Sequence, residues 1–159
     1  MAVRAIRGAT RVDVDEREHV LARSRELVDQ LLHRNALDDD DVLSIVFSAT
    51  KDIRSVAPAL AARQLGLHDA ALLCLQEMDV DGAMPRVVRL LAHVESQRSR
   101  SQLSNVYLHG TEVLRGDIPG VPDLPPEATP DAIPDAIPAP ISDVVPDAVP
   151  GVAPGTGPA

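Results

Sequence analysis

Aromatic side chains are nearly absent from this chain of 159 residues: Phe47 and Tyr107 are its only Phe and Tyr, and it has no Trp. A core must therefore be built from Val, Leu, Ile and Ala, and the stacking platforms that hold unpaired bases are missing. Cysteine is as scarce. Cys74 stands alone, which excludes an intrachain disulfide and a cysteine-based zinc site. The five histidines, at 19, 33, 68, 93 and 109, show no ligand spacing, so neither a metal nor a cofactor is expected. No apolar run approaches the length of a membrane span, and Arg4 and Arg7 interrupt the N-terminus where a signal peptide needs an unbroken apolar stretch. The expectation is a soluble, cytoplasmic protein that meets no membrane.

The net charge of −9 is unevenly divided, with −3 on residues 1–118 and −6 on residues 119–159, where no basic side chain occurs. With no basic stripe to displace counterions, binding to nucleic acid is disfavoured. Fourteen of the fifteen cations are arginine, Lys51 being the exception. Arginine grips carboxylate or phosphate through two parallel donors wherever several converge. Hydrophobic residues make up 45% of the chain, and this length suffices for one ordinary domain.

Residues 3–12, VRAIRGATRV, read as a first strand. A helix follows over Glu16–Arg34, with Val20, Leu27, Val28, Leu31 and Leu32 at helical spacing, Asp15 placed to cap it and Glu18 to complete a capping box. Asp38–Asp41 reads as a solvated turn, since consecutive carboxylates lack the alternating spacing that lets them converge on one ion. Val42–Thr50 has the β-branched, apolar character of a buried strand. ALAARQLG after Pro58 forms a short helix closed by Gly66. Ala71–Glu77 is a third strand, Pro85–Glu95 a helix with proline in its first turn, and Asn105–His109 a fourth strand that Thr111–Arg115 extends past a bend at Gly110. The order is β-α-β-α-β-α-β, an α+β domain on one sheet.

From Pro119 onward the character changes: twelve of the fourteen prolines fall in the last 41 residues, in the imperfect repeat PDAIPDAIPAPISDVVPDAVP. Prolines at that density block both helix and ladder hydrogen bonds, so residues 119–159 are expected to be a disordered or extended low-complexity tail appended to a folded domain, 1–118. The lack of any basic residue after Arg115 argues against a ligand for SH3-type domains.

Several polar residues sit awkwardly on these elements. Arg7 shares a strand face with Val3, Ala5 and Ala9, and needs either a partner or an edge from which to reach solvent. Glu77 ends an otherwise apolar strand just before the turn MDVDG, where sites commonly form. Cys74, three residues earlier, points to the opposite side of a regular strand and reads as a structural thiol. On a helix from Pro85 with Val87, Leu90, Leu91 and Val94 buried, Arg89 turns to the solvated side. No nucleophile with an adjacent base, glycine-rich phosphate loop or carboxylate pair is present.

These segments, IRGAT, SAT followed by VAPALAAR, CLQEMDV, VVRLL and VYLHGTEVLR, resemble the AroH-class chorismate mutases, the trimeric type typified in Bacillus, collinearly from Val3 to Arg115. The resemblance implies a homotrimeric pseudo-barrel with each active site between two subunits, and one reaction, the rearrangement of chorismate to prephenate. It also implies roles. Arg7 and Tyr107 bind carboxylate, Arg89 donates to the ether oxygen, and Glu77 accepts from the ring hydroxyl with Cys74 beside it. Arg63 and Arg115 line the entrance. Such a pericyclic isomerisation needs no acid, base, nucleophile or cofactor, only a held conformer and stabilised charge. Two positions depart from the family pattern: Ala57 stands where an aromatic residue is usual, and Leu60 where lysine is. Two alternatives remain open at this point. One is a related trimeric enzyme acting on another chorismate-derived or enamine-type anion. The other is a non-catalytic trimer that displays its tails.

Overall fold

A computed structural model describes residues 1–115; the proline-rich tail and the domain boundary at 118 lie outside the described residues. The elements are β1 (Ala2–Arg11), α1 (Arg17–Asn35), β2 (Val42–Ala49), α2 (Ala59–Gln64), β3 (Ala71–Gln76), β4 (Val87–Ser96) and β5 (Val106–Leu108). Short 3-10 turns at Asp39–Asp41, Arg100–Gln102 and Thr111–Leu114 join or follow them. The five strands form one sheet in the order β3-β2-β4-β1-β5. β4 runs antiparallel to both β1 and β2, while β3 and β5 are parallel to their neighbours.

The core lies on one side of this sheet. Ile6, Ile45, Phe47, Val88, Leu90, Ala92, Val94 and Val106 meet Leu27, Val28 and Leu31 of α1 and Ala62 of α2 in a single buried cluster. Phe47 is the bulkiest fully buried side chain, and the other buried members of the cluster are all aliphatic. Gly8 lets α1 lie close against β1: a Cβ there would stand 3.1 Å from Leu27 Cδ1 and 3.2 Å from the Val106 carbonyl. Among the described residues no α-helix covers the other side of the sheet. Val3, Leu73, Leu75 and Leu91 on it are 58%, 53%, 50% and 37% exposed.

Two sequence expectations are corrected. The segment Pro85–Glu95 is not a helix, because β4 occupies it and pairs along its length with strands on both flanks. Two periods overlap here. Val87, Leu90, Leu91 and Val94 satisfy helical spacing, whereas Val88, Leu90, Ala92 and Val94 satisfy alternation, and the second set is the buried one. Local chemistry favours the strand at its start: Arg86 takes a positive φ of 52° that no helix tolerates, and the Asp52 carboxylate accepts its amide at 2.9 Å. Thr50 Oγ1 then accepts the Val87 amide at 3.0 Å. The second correction concerns Thr111–Arg115, which does not extend β5. Left-handed His109 and Gly110 turn the chain into a 3-10 turn.

The first helix also starts differently from expectation. Glu16 is its N-cap and makes no capping bond. Asp15 instead accepts the amides of Arg54 and Ser55 at 3.0 and 3.1 Å, so its carboxylate secures the loop after β2. The other end of α1 is closed by Asn35, 1% exposed. Its Nδ2 donates to the carbonyls of Leu31 and Ser104 at 2.8 and 3.0 Å, and its Oδ1 accepts the Ser104 amide at 2.7 Å. This tie fixes the approach to β5. Along the same helix Glu26 meets His109 at 2.7 Å and Arg23 at 3.4 Å; the hydrogen bond with His109 is the main reason its carboxyl is held below the usual range.

Asn35→Ala strands both Ser104 backbone groups without partners. The expected result is a loss of about 2–4 kcal/mol of unfolding free energy, read from urea denaturation followed by circular dichroism.

Candidate active site

Strand register sets out the site as a row of cross-strand partners on the open side of the sheet. Leu75 of β3 faces Ser48 of β2, Ser48 faces Arg89 of β4, Arg89 faces Ala9 of β1, and Ala9 faces Tyr107 of β5. Glu77 lies two residues beyond Leu75, on the same side, its amide still bonded to the Ala49 carbonyl at 2.9 Å. Arg7 lies two residues before Ala9, opposite Leu91. Because alternate residues of a strand point the same way, this geometry sends Arg7, Arg89, Tyr107 and Glu77 to one side.

Between Arg7, Arg89 and Tyr107 lies a cleft of about 350 Å³ lined by Arg7, Gly8, Arg89, Leu90, Tyr107 and Leu114, whereas Glu77, joined to it through Arg89, lines a separate pocket with Thr50, Lys51 and Asp52. Among the described residues the lining of the cleft includes two guanidinium groups, one phenol and no carboxylate. Ala9, the register partner of both Arg89 and Tyr107, is wholly buried. Arg7 is exposed, and among the described residues no side-chain or backbone group bonds to its guanidinium. It occupies the interior strand β1, between β4 and β5, so an edge position does not account for it.

Arg89 and Glu77 form an ion pair through Nη1 and Oε2. The second carboxylate oxygen of Glu77 accepts the Ser48 hydroxyl at 2.8 Å. With side chains 35% and 14% exposed, the pair is shielded enough for its charges to interact more strongly than they would in water. One Arg89 nitrogen is thereby committed, and the rest of the planar fork is aimed by that bond. Behind Glu77, the loop that leads to β4 is tied back by Lys51, which reaches Asp79 at 2.5 Å.

The C-terminal side of the cleft is shaped by the turn after β5. Thr111, fully buried, accepts the Leu108 amide at 3.0 Å and lies 2.9 Å from the Ala9 carbonyl. The chain then returns so that Arg115 donates to the Tyr107 hydroxyl at 3.4 Å, with its guanidinium 5.7 Å from the ring centroid. A cation over a phenol ring is attracted by the ring's negative face.

Not every residue singled out from the sequence joins this group. Cys74 pairs in register with Phe47 and packs against the core, so its side chain lies on the opposite side from Glu77. Its thiol accepts the Ala59 amide at 3.3 Å. Burial pushes the thiol pKa up, against a smaller opposing effect of that hydrogen bond. Arg63 donates through Nη1 to the Leu67 carbonyl at 2.6 Å and to the His68 carbonyl. Those bonds close the end of α2, and Arg63 does not line the cleft. Arg89 is the residue whose setting differs most from expectation, on the open side of a central strand instead of a solvated helix face. Ser48 was not anticipated. Its signal was a hydroxyl in the apolar run VLSIVFSA, in alternation with Ile45 and Phe47.

The comparisons with known proteins agree with this geometry. A family model described as Chorismate mutase type I matches residues 3–118. Chorismate mutase AroH of Bacillus subtilis (strain 168) is 36% identical over 119 residues, covering 74% of this chain and 94% of its own. Chorismate mutase AroH of Thermus thermophilus is 37% identical over 117 residues, covering 73% and 96%. Among solved structures, a chorismate mutase from Clostridium thermocellum superposes with a TM-score of 0.68 at 36% identity, over 69% of this chain and 98% of that one. Neither alternative left open by the sequence is favoured by these matches. The chain, with an α+β sheet domain that matches theirs and an arginine-lined cleft on its uncovered side, belongs to the chorismate mutase type I family.

Proposed function

We propose that this enzyme converts chorismate to prephenate in the cleft between Arg7, Arg89 and Tyr107, by holding a compact conformer of the dianion and stabilising the charge that develops as its ether bond opens. One C–O bond breaks, one C–C bond forms, and no atom or proton is exchanged. The observation that carries this reading is a cleft lined by two guanidinium groups and, among the described residues, by no carboxylate, in a chain of this family. A substrate with two carboxylates replaces the counter-charges that the cleft lacks.

Each role follows from what the group can donate or accept. Arg7 and Tyr107 bind a substrate carboxylate, the guanidinium by paired donors and the phenol by its hydroxyl. Arg89 donates to the ether oxygen. Because its orientation is set beforehand by Glu77, little reorganisation is needed when negative charge appears there, and preorganised donors of this kind contribute the most in a water-poor site. Glu77 accepts from the ring hydroxyl with lone pairs that Arg89 and Ser48 leave available. Cys74 acts beside Glu77 through its backbone, its thiol being turned to the core. Arg115 lines the entrance of its own subunit's cleft and Arg63 that of a neighbouring copy, and both draw the dianion in. Since the Claisen rearrangement is unimolecular, correct conformation replaces general acid-base chemistry.

The reading includes a homotrimer with each site completed at a subunit seam, working in the cytoplasm. Supporting it, the uncovered side of the sheet exposes Val3, Leu73, Leu75 and Leu91, a surface that another copy of the chain would bury. Arg63, committed at the end of α2 by one nitrogen, would offer its remaining donors to a neighbouring copy. No described helix is long and apolar enough to cross a membrane. In this reading residues 119–159 are required neither for folding nor for catalysis.

Purified protein mixed with chorismate is expected to form prephenate at a rate unaffected by EDTA, and a folded protein without turnover would remove the proposal. Arg89→Ala is expected to lower kcat by about a hundredfold or more, the scale for loss of a preorganised charge stabiliser; normal turnover in steady-state assays would refute the role. Light scattering coupled to size exclusion should return three times the mass of the chain. A chain cut after Ile118 should keep both that trimer and its activity, whereas aggregation would assign the tail a structural part.

A further inference from the structure

Glu77 is held at both oxygens. Arg89 Nη1 bonds to Oε2, and the Ser48 hydroxyl donates to Oε1 at 2.8 Å. We propose that Ser48 is a positioning residue for the rearrangement, fixing the Glu77 carboxylate so that one edge meets the substrate's ring hydroxyl while the other keeps Arg89 aimed at the ether oxygen. This rests on the roles of Glu77 and Arg89 proposed above.

Register puts Ser48 in place for that task. It faces Arg89 across the β2–β4 pair and Leu75 across the β2–β3 pair, with Glu77 the next residue on that side of the chain. It therefore stands between acid and base on the strand that separates them. A carboxylate with only one charged partner turns readily about its terminal torsion and can close onto the guanidinium as a two-bond fork. That fork would commit a second Arg89 nitrogen to Glu77 and withdraw it from the cleft. A hydroxyl has a single proton to donate, and in Ser48 it goes to Oε1, which holds the carboxylate in its one-bond arrangement.

The setting gives the hydroxyl little other purpose. Ser48 interrupts a strand that otherwise favours branched and aromatic residues. The strand's other serine, Ser44, has its own partner in His93, at 3.0 Å from Nδ1. Ser48 touches no reacting atom in this account; it acts through Glu77, and that dependence can be measured.

Steady-state kinetics on the full chain with chorismate would compare Ser48→Thr, Ser48→Val, Glu77→Ala and the double variant Ser48→Val/Glu77→Ala. Threonine keeps the hydroxyl and valine replaces it at equal volume, so the pair separates hydrogen bonding from shape. Ser48→Thr is expected to stay within about twofold of the parent and Ser48→Val to lose about tenfold in kcat, the size of one hydrogen bond to a charged group. KM should change by less than about threefold, because Arg7 and Tyr107 are untouched. In the Glu77→Ala background, Ser48→Val should cost nothing further. Wild-type turnover by Ser48→Val, or an undiminished loss when Glu77 is already absent, would overturn the proposal. Ser48→Ala gives the same readout should valine disturb the sheet. Glu77→Ala judges the underlying site separately: full activity there would reject the reading of Glu77 itself, whatever Ser48 does.

Discussion

The placement of β4 between β1 and β2 is the constraint on which the site depends. Antiparallel pairing on both flanks puts Arg89 directly between Ser48 and Ala9, and the parallel strands β3 and β5 bring Glu77 and Tyr107 to the two ends of the same row. A slip of one residue would turn Arg89 into the core and bring Val88 or Leu90 to the cleft. Asp52 and Thr50 guard against such a slip by bonding the amides of Arg86 and Val87 where the strand begins. The register that buries Val88, Leu90, Ala92 and Val94 is therefore the same register that delivers the guanidinium, so packing and the placement of Arg89 in the cleft are specified together.

The division of labour across the sheet follows from its two faces. Helices α1 and α2 cover one face with an aliphatic core, and every polar group of the site faces the other way. Cys74 and Glu77 make the contrast plain: three residues apart in sequence, one packs against the core cluster and the other pairs with Arg89. The site itself is built from charge and hydrogen bonds, with no nucleophile or acid-base pair of the kind that bond hydrolysis demands. For a unimolecular rearrangement this is sufficient, because the barrier falls when a flexible dianion is held folded and its developing charge is met by fixed donors.

Much of this was legible in the sequence. Four of the five strands and both helices lie within a few residues of where periodicity placed them, since each has one dominant period or clear end signals, as at Gly66 after α2. The remaining strand, β4, reads as a helix because VVRLLAHV supports two periods, and Leu91, apolar yet on the open face, favours the helical one. Only partners remote in sequence decide such a case, and at Arg89 they are Ala9 of β1, 80 residues away, and Ser48 of β2, 41 away. For the site, Arg7 and Glu77 announced themselves as charges on apolar strands. Arg89 did not, because its face was inferred from the wrong element. Ser48 carried only a faint signal, and its purpose becomes visible when its distance to Glu77 is known. Asp15 shows the converse: a residue well placed by sequence to cap a helix is drawn to the amides of a distant loop.

In the proposed site Arg7, Glu77 and Arg89 act together on a single bound dianion. A crystal structure of the protein with prephenate bound tests this most directly. The expected result is one ligand per cleft, with a carboxylate on Arg7, the ring hydroxyl on Glu77, and Arg89 directed at the oxygen released from the ether bond. Prephenate seated elsewhere, or a cleft in which these three side chains face separate compartments of the assembly, would contradict the account.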